Sequence, residues 1–258
     1  MRAPDAVVSA QPDPRVPGEA TMTWLIAERA ALEALRDRLG LLAGLVLALP
    51  VPLALVLLGV APGAGTGEPG ARLGATLALY LLVAGVLPAF SAVGIAAGQF
   101  AGEKERGVLT PLLASPASNL AIFGGKVLGA MVPSLVYAAL AEAVYLAGVA
   151  VLVGVAALRQ LPLSLGLAAV LLVPAVTCFA AVVASLISSR VRTFNAAQQL
   201  GGLVLMPVWG LVFAVAARLG EWGPVAPLAA GVGLLVVDVA LTFLAAATWR
   251  REEVLAQR

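Results

Sequence analysis

Six long apolar segments dominate this chain and constrain its fold more than any other feature. A helix that crosses a bilayer needs roughly 20 mainly apolar residues, because the hydrocarbon core is about 30 Å thick. The sequence therefore predicts an all-α, polytopic membrane protein with six transmembrane helices. The predicted spans are about Gly40–Ala61, Leu73–Ala97, Val127–Val155, Leu163–Ile187, Ala197–Ala217 and Val225–Thr248.

Composition supports a membrane domain over a soluble one. Hydrophobic residues make up 61% of the 258 residues and charged residues 12%, against roughly 25% charged residues in soluble domains. Aromatic residues are few and small residues are many. This composition suits helices packed in lipid and disfavours a transmembrane barrel, whose strands would alternate polar and apolar residues. We expect a flexible cytosolic tail, an interfacial helix, the transmembrane domain and a cytosolic C-terminal end, at residues 1–20, 21–39, 40–248 and 249–258 respectively.

The distribution of basic residues predicts the orientation. Six spans place both termini on one side, and with that side in the cytosol only Arg72, Arg159 and Arg218 of the 16 Lys and Arg residues lie outside. This asymmetry is what the positive-inside rule expects. We therefore predict a multi-pass protein of the cell (inner) membrane with cytosolic termini. The net charge of +2 is too small to suggest a nucleic-acid partner, so the basic residues are interpreted as anchors to membrane lipid.

Missing residues and motifs exclude several kinds of chemistry. The chain has no histidine, which removes histidine-based general base catalysis and the usual zinc sites. Its one cysteine, Cys178, offers neither a disulfide framework nor a cysteine metal site and is interpreted as a small apolar residue in a helix. Gly125-Lys126 follows another glycine, but Val127 stands where a phosphate loop needs Ser or Thr. We expect no enzyme activity, no metal and no cofactor bound by the chain itself.

A charged island interrupts the apolar pattern between the second and third spans, in a predicted cytosolic segment at residues 99–119. It begins with Glu103-Lys104-Glu105-Arg106. Thr110-Pro111 has the pattern of an N-cap followed by proline at the first helical position, and Pro116 would end a short helix with a leucine face. A second helix is predicted to start after Ser118 and to run into the third span. A force on this segment would tilt the joined spans, although an inert positive-inside loop is the alternative.

A further helix is predicted just before the first span, at Trp24–Arg38. At 100° per residue its large apolar side chains form one arc and most of its charged side chains lie outside that arc. A helix along the inner membrane surface fits this pattern. The alternative is a simple extension of the first span into the cytosol. Glycine pairs four residues apart permit close approach of helices, and these are Gly40/Gly44, Gly94/Gly98, Gly98/Gly102 and Gly125/Gly129. The alternative is that they reflect only dense packing within a bundle rich in Gly and Ala.

Two ionisable residues, Glu142 and Asp238, lie deep in the third and sixth apolar segments. A charge at the bilayer centre costs roughly 2.5–3.5 kcal/mol on insertion scales, so each side chain should face protein or a water-filled path. They could be protonated, could contact a cationic substrate, or could be satisfied polar residues in the bundle. The candidate hydrogen-bond partners are Tyr137, Tyr145, Ser185 and Thr242.

The charged island and its surroundings resemble a known family. The run from Gly102 to Leu109, the run from Leu112 to Pro116, and Gly125-Lys126 are similar to the cytosolic segment of ABC type-2 exporter permeases, particularly the sodium-efflux class. The helix before the first span, Gln198-Gln199 at the start of the fifth, and the charged end after Trp249 fit the same family. The resemblance covers nearly the whole chain from about Trp24.

The resemblance implies a permease subunit that works with a separate ATPase. ATP would be bound by that partner, and two ATPases with two permeases, the second identical or homologous, would form the exporter. Glu103, Glu105 and Arg106 would dock the ATPase through polar contacts, and Leu112 and Leu113 through apolar ones. The full set of implied coupling residues is Glu103, Lys104, Glu105, Arg106, Gly107, Leu109, Leu112, Leu113, Pro116 and Lys126.

Two other functions stay open at the level of sequence. An ion-coupled carrier would use Glu142 and Asp238 as its transport path, although internal repeat symmetry is missing. A membrane anchor of an ATPase complex would move no solute. The short external loops, such as Pro62–Arg72, offer no large domain for capturing a substrate outside. A transported substrate would therefore enter from the cytosol or the membrane.

Overall fold

The computed structural model describes residues 17–64, 70–108, 112, 114–222 and 225–249. Those residues form helices and no strand, and six of the helices are long and apolar enough to cross a membrane. The predicted all-α class with six spans is confirmed. Spans 1 to 3 are Arg38–Ala64, Arg72–Glu105 and Asn119–Leu152. Spans 4 to 6 lie in the helices Leu163–Arg190, Phe194–Trp222 and Val225–Thr248.

Spans 2 and 3 extend beyond their apolar segments into the region of the charged island. Span 2 continues through Glu105, so the first charged residues form its last turn. Span 3 begins at Asn119 because the Ser118 hydroxyl caps it by accepting the Ala121 amide at 3.0 Å. The prediction that a helix starts after Ser118 is confirmed. A short helix, Val155–Leu158, follows span 3.

Spans 1 and 2 contain breaks in regular helix. In span 1, Leu49 separates Arg38–Ala48 from Pro50–Leu55, and a π-helical turn, Val56–Val60, leads into Ala61–Ala64. In span 2, Leu87 and Pro88 separate Gly70–Val86 from Ala89–Ala97, because proline cannot donate the backbone hydrogen bond that a continuous helix needs. A second π-helical turn follows at Gly98–Gly102.

The N-terminal helix, Glu19–Arg36, is separate from span 1. Asp37 adopts an extended conformation, and its carboxylate accepts the amides of Leu39 and Gly40 at 3.3 and 3.1 Å. This is an N-cap at the start of span 1, so the chain does not run on as one helix. Residues 1–16 of the predicted tail and residues 250–258 of the predicted C-terminal end lie outside the described residues.

Small residues let the N-terminal helix pack closely on span 3. A Cβ atom added to Gly125 would lie 2.8 Å from the Thr23 carbonyl oxygen, and one added to Gly129 would lie 2.4 Å from the Ala30 Cβ. Both distances are shorter than any ordinary contact, so the two glycines are required for this approach. The opposite face of the N-terminal helix carries exposed large apolar side chains, at Trp24, Leu25, Leu32 and Leu35.

Spans 2, 3 and 4 supply most of the buried core. Phe100, Ile122 and Ala180 are fully buried in one continuous cluster that also receives Trp249 from the end of span 6. Spans 1, 5 and 6 present exposed apolar side chains outward, among them Leu58, Leu203 and Phe243. In a bilayer these faces meet lipid or another protein, whereas polar groups must be satisfied inside the bundle.

Candidate functional site

A serine side chain of span 4 bonds to the C-terminal end of span 2. The Ser188 hydroxyl accepts the Ala101 amide at 2.9 Å and donates to the Ala97 carbonyl at 3.1 Å. It therefore stands between a donor and an acceptor that would bond to each other in an α-helix. Insertion of a side chain into the helix ladder is a known cause of local distortion, and it accounts for the π-helical turn at Gly98–Gly102.

A buried ion pair joins the same end of span 2 to span 3. The Lys126 ammonium lies 2.7 Å from a Glu103 carboxylate oxygen, and the two side chains are only 2% and 13% exposed. The ammonium also donates to the Gln99 carbonyl and lies 5.0 Å from the centre of the Phe100 ring. A buried lysine needs such partners, because removal of its hydration shell is otherwise uncompensated. Because the two residues lie 23 positions apart on different spans, no local sequence pattern predicted this pair.

The next two charged residues hold the turn between spans 4 and 5. Lys104 donates to the Ser189 carbonyl and, at 3.3 Å, to the Val191 carbonyl, at the C-terminus of span 4. Glu105 accepts the Phe194 amide at 3.2 Å, at the N-terminus of span 5. A cation at a helix C-terminus and an anion at a helix N-terminus both complement the helix dipole. Span 2 is thereby tied to spans 4 and 5 as well as to span 3.

Gly107 ends the helix of span 2 through a Schellman motif. Its φ is +70°, and the amides of Gly107 and Val108 donate to the carbonyls of Lys104 and Glu103 at 3.0 and 3.1 Å. This left-handed C-cap conformation favours glycine. The chain leaves the helix there, and Arg106 and Val108 are both exposed at the turn.

The remaining predicted coupling residues are only partly described. Leu112 is half-buried and packs against the central core cluster, and Pro116 is exposed. Leu109 and Leu113 lie outside the described residues, as do Thr110 and Pro111. The short cytosolic helix with a leucine face therefore stays a prediction.

The charged island thus divides into an internal part and an outer part. Glu103, Lys104 and Glu105 contact other spans, whereas Arg106 is exposed beyond them. The interpretation of Glu103 as a surface docking group did not anticipate its buried partner. Sequence reasoning also missed Ser188, because a serine in an apolar helix carries no pattern that identifies a partner on another helix.

Glu142 and Asp238 are not brought together. A Cβ atom on Gly85 of span 2 would lie 2.4 Å from the Glu142 Oε1 and 2.7 Å from a methyl carbon of Val173 in span 4. The Glu142 carboxyl group therefore extends from span 3 to the place where spans 2 and 4 meet. Asp238 lies instead beside Cys178. Val173 and Cys178 are five residues apart, which places them about 140° apart around span 4.

Neither deep carboxyl group is satisfied by its suggested partners within the described part of the chain. Both oxygens of Asp238 and the Glu142 Oε1 are buried without a hydrogen-bond partner there. The Tyr145 hydroxyl donates to the Leu77 carbonyl at 2.9 Å, and the Thr242 hydroxyl to the Asp238 backbone carbonyl at 2.7 Å. The same residues contain no group of three or more His, Cys, Asp or Glu side chains that could hold a metal ion.

Spans 4 and 6 pack side by side in a parallel register, a contact called here the 4–6 seam. A Cβ atom on Gly231 would lie 2.9 Å from the Leu171 Cγ, and Arg190 donates to the Thr248 hydroxyl at 3.3 Å. Between these contacts, Cys178 faces Asp238. Seven residues separate Leu171 from Cys178 and Gly231 from Asp238, the spacing of a parallel helix seam.

Comparison with known proteins identifies one family. The model of the ABC-2 type transporter family matches residues 21–212. The matched region runs from the N-terminal helix into span 5 and includes the whole charged island. No curated protein matches the chain.

Proposed function

Because the chain belongs to the ABC-2 type transporter family, it is a transmembrane permease component of an ABC transporter, and we propose that a separate ATPase drives it through the charged island. In this proposal two ATPase subunits and a second permease, identical or homologous, complete an exporter in the cell membrane. Both termini and the charged island lie in the cytosol, as the distribution of basic residues suggests. The sodium-efflux class stays a hypothesis based on resemblance.

The connection of one short segment of span 2 to three other spans carries this proposal. Glu103 pairs with Lys126 of span 3, Lys104 bonds to the end of span 4, and Glu105 caps span 5. All three residues belong to the last turn of span 2. A displacement of this turn must therefore move four spans together or break buried polar contacts, which are costly to leave unpaired.

The proposed ATPase contact lies just beyond this turn. Arg106 and Val108, the latter 53% exposed, form its described part, and Leu109 and Leu113 are its predicted apolar part. Glu103, Lys104 and Lys126 transmit the movement in this account, and Glu105 both faces solvent and holds span 5.

The ion-coupled alternative has less support. It would use Glu142 and Asp238 in one path, and these carboxyl groups lie near different sides of span 4. A shared ion site would need them on a common face, so coupling through the charged island is the stronger proposal.

Negative charge introduced at the proposed contact is expected to release the ATPase. Arg106→Glu and Val108→Asp each place a negative charge on the exposed turn. Each should lower recovery of the ATPase by at least about tenfold, because a charge that the partner surface does not complement weakens binding. The measurement is affinity purification of the full-length protein in mild detergent, followed by mass spectrometry of the proteins that accompany it.

Arg159→Glu is the matched control, because Arg159 is also exposed but is predicted to lie on the outer side. It should leave ATPase recovery unchanged. Undiminished recovery with both cytosolic variants would count against docking at this turn. Absence of any Walker-motif ATPase from the wild-type sample would count against the partner itself.

A further inference from the structure

Asp238 carries a buried carboxyl group that has no basic partner among the described residues. Its residue is 1% exposed, and neither carboxyl oxygen has a hydrogen-bond partner among the described residues. An ionised carboxylate there would lose its hydration and gain at most a weak bond from the Cys178 thiol, so the closed 4–6 seam holds the neutral form.

No basic side chain lies beside Asp238 among the described residues of the neighbouring spans. The group that faces it from span 4 is the Cys178 thiol, a weak donor. Span 5 has no ionisable residue from Phe194 to Ala214, and span 6 has no other. Of the remaining ionisable side chains of spans 3 and 4, Arg190 contacts Thr248, ten residues along span 6 from Asp238. The others contact other parts of the bundle, and these are Lys126, Tyr137, Glu142 and Tyr145.

We propose that Asp238 is a proton-binding site that controls the 4–6 seam: the protonated carboxyl group keeps the seam closed, and release of the proton to entering water opens it. The two events are linked, because the carboxylate is stable only where water reaches it and water reaches it only when the helices part. Low pH therefore favours the closed seam, and rising pH favours the open one. The inference goes beyond the proposed coupling, since it requires neither ATPase nor charged island.

The chain supplies its own reporter of this opening. Cys178 is the one cysteine of the sequence, is only partly buried, and faces Asp238 across the seam, so opening of the seam should speed its reaction with a maleimide above a basal rate. The direct electrostatic effect of Asp238 runs the other way, because a neighbouring negative charge disfavours the reactive thiolate. A faster reaction caused by the Asp238 charge therefore reports opening.

The experiment compares wild type with Asp238→Asn, whose side chain has the same shape and stays neutral. The full-length protein in native membranes is treated with N-ethylmaleimide at pH 6 and pH 8, and mass spectrometry measures the fraction of modified protein over time. We expect similar rates at pH 6 and a wild-type rate about tenfold higher at pH 8, the size of a modest population shift. A wild-type to variant ratio that stays constant or falls with pH would overturn the proposal.

A second pair of reporters keeps the test decisive if Asp238→Asn fails to insert. In a Cys178→Ser background, Ser185→Cys places a thiol one heptad further along span 4, at a fully buried position, whereas Val151→Cys places one at a position that is 82% exposed. With Asp238 intact, the ratio of the Ser185→Cys rate to the Val151→Cys rate should rise about tenfold from pH 6 to pH 8. A constant ratio would contradict opening of the seam.

Discussion

Lys126→Met is expected to destabilise the protein by about 3–5 kcal/mol, because it leaves Glu103 partly buried without its partner and removes the donor to the Gln99 carbonyl. The measurement is the free energy of unfolding of the purified full-length protein in mild detergent. Adding Glu103→Gln to Lys126→Met removes both charges and should recover at least half of the loss, since neutral replacement of a buried ion pair costs little.

The N-terminal helix offers a matched control for burial. Arg29 and Glu33 form an ion pair of nearly the same length, 2.8 Å, with side chains that are 78% and 47% exposed. Because solvent screens such a pair, Arg29→Met should cost no more than about 1 kcal/mol. An equal loss in the free energy of unfolding from Lys126→Met and Arg29→Met would mean that the Glu103–Lys126 contact is not the buried connection described above.

Gly129→Leu is expected to detach the N-terminal helix from span 3. A Cβ atom at this position would lie 2.4 Å from the Ala30 Cβ and 3.0 Å from the Ala27 carbonyl oxygen. Backbone atoms cannot yield as the end of a flexible side chain can, so the overpacking should cost about 1–3 kcal/mol or more. The readout is maleimide labelling of Ala30→Cys in a Cys178→Ser background, because Ala30 is buried in the intact contact.

Gly124→Leu is the control on the same helix. The nearest atom to a Cβ at Gly124 is the Thr23 methyl carbon at 3.9 Å, an ordinary van der Waals distance. Labelling at position 30 should therefore rise with Gly129→Leu and stay unchanged with Gly124→Leu. Slow labelling in both variants would show that the helix does not depend on the close approach at Gly129.

Local patterns in the sequence predicted the architecture well. Apolar segments of sufficient length identified all six spans, because the thickness of the bilayer leaves few other folds for them. Ser118 marked the start of span 3, since its hydroxyl needs only the amide three residues later. The Gly125 and Gly129 spacing indicated a close helix contact, but the partner could be found only in three dimensions.

The candidate site was predictable in position and not in its internal arrangement. Charge in an apolar chain drew attention to Glu103–Arg106, yet the partners of these residues come from spans 3, 4 and 5. Such partners depend on helix packing, which residue spacing within one segment does not encode. For the same reason, Glu142 and Asp238 looked alike in sequence although span 4 separates their surroundings.

The most direct test of the proposed coupling is site-specific photo-crosslinking from the exposed turn in native membranes. A photoreactive amino acid replaces Arg106 in one full-length variant and Arg159 in another, and the covalent products are identified by mass spectrometry. We predict an adduct with a Walker-motif ATPase from position 106 and none from position 159. An ATPase adduct from position 159, or no ATPase adduct from position 106, would contradict coupling through the charged island.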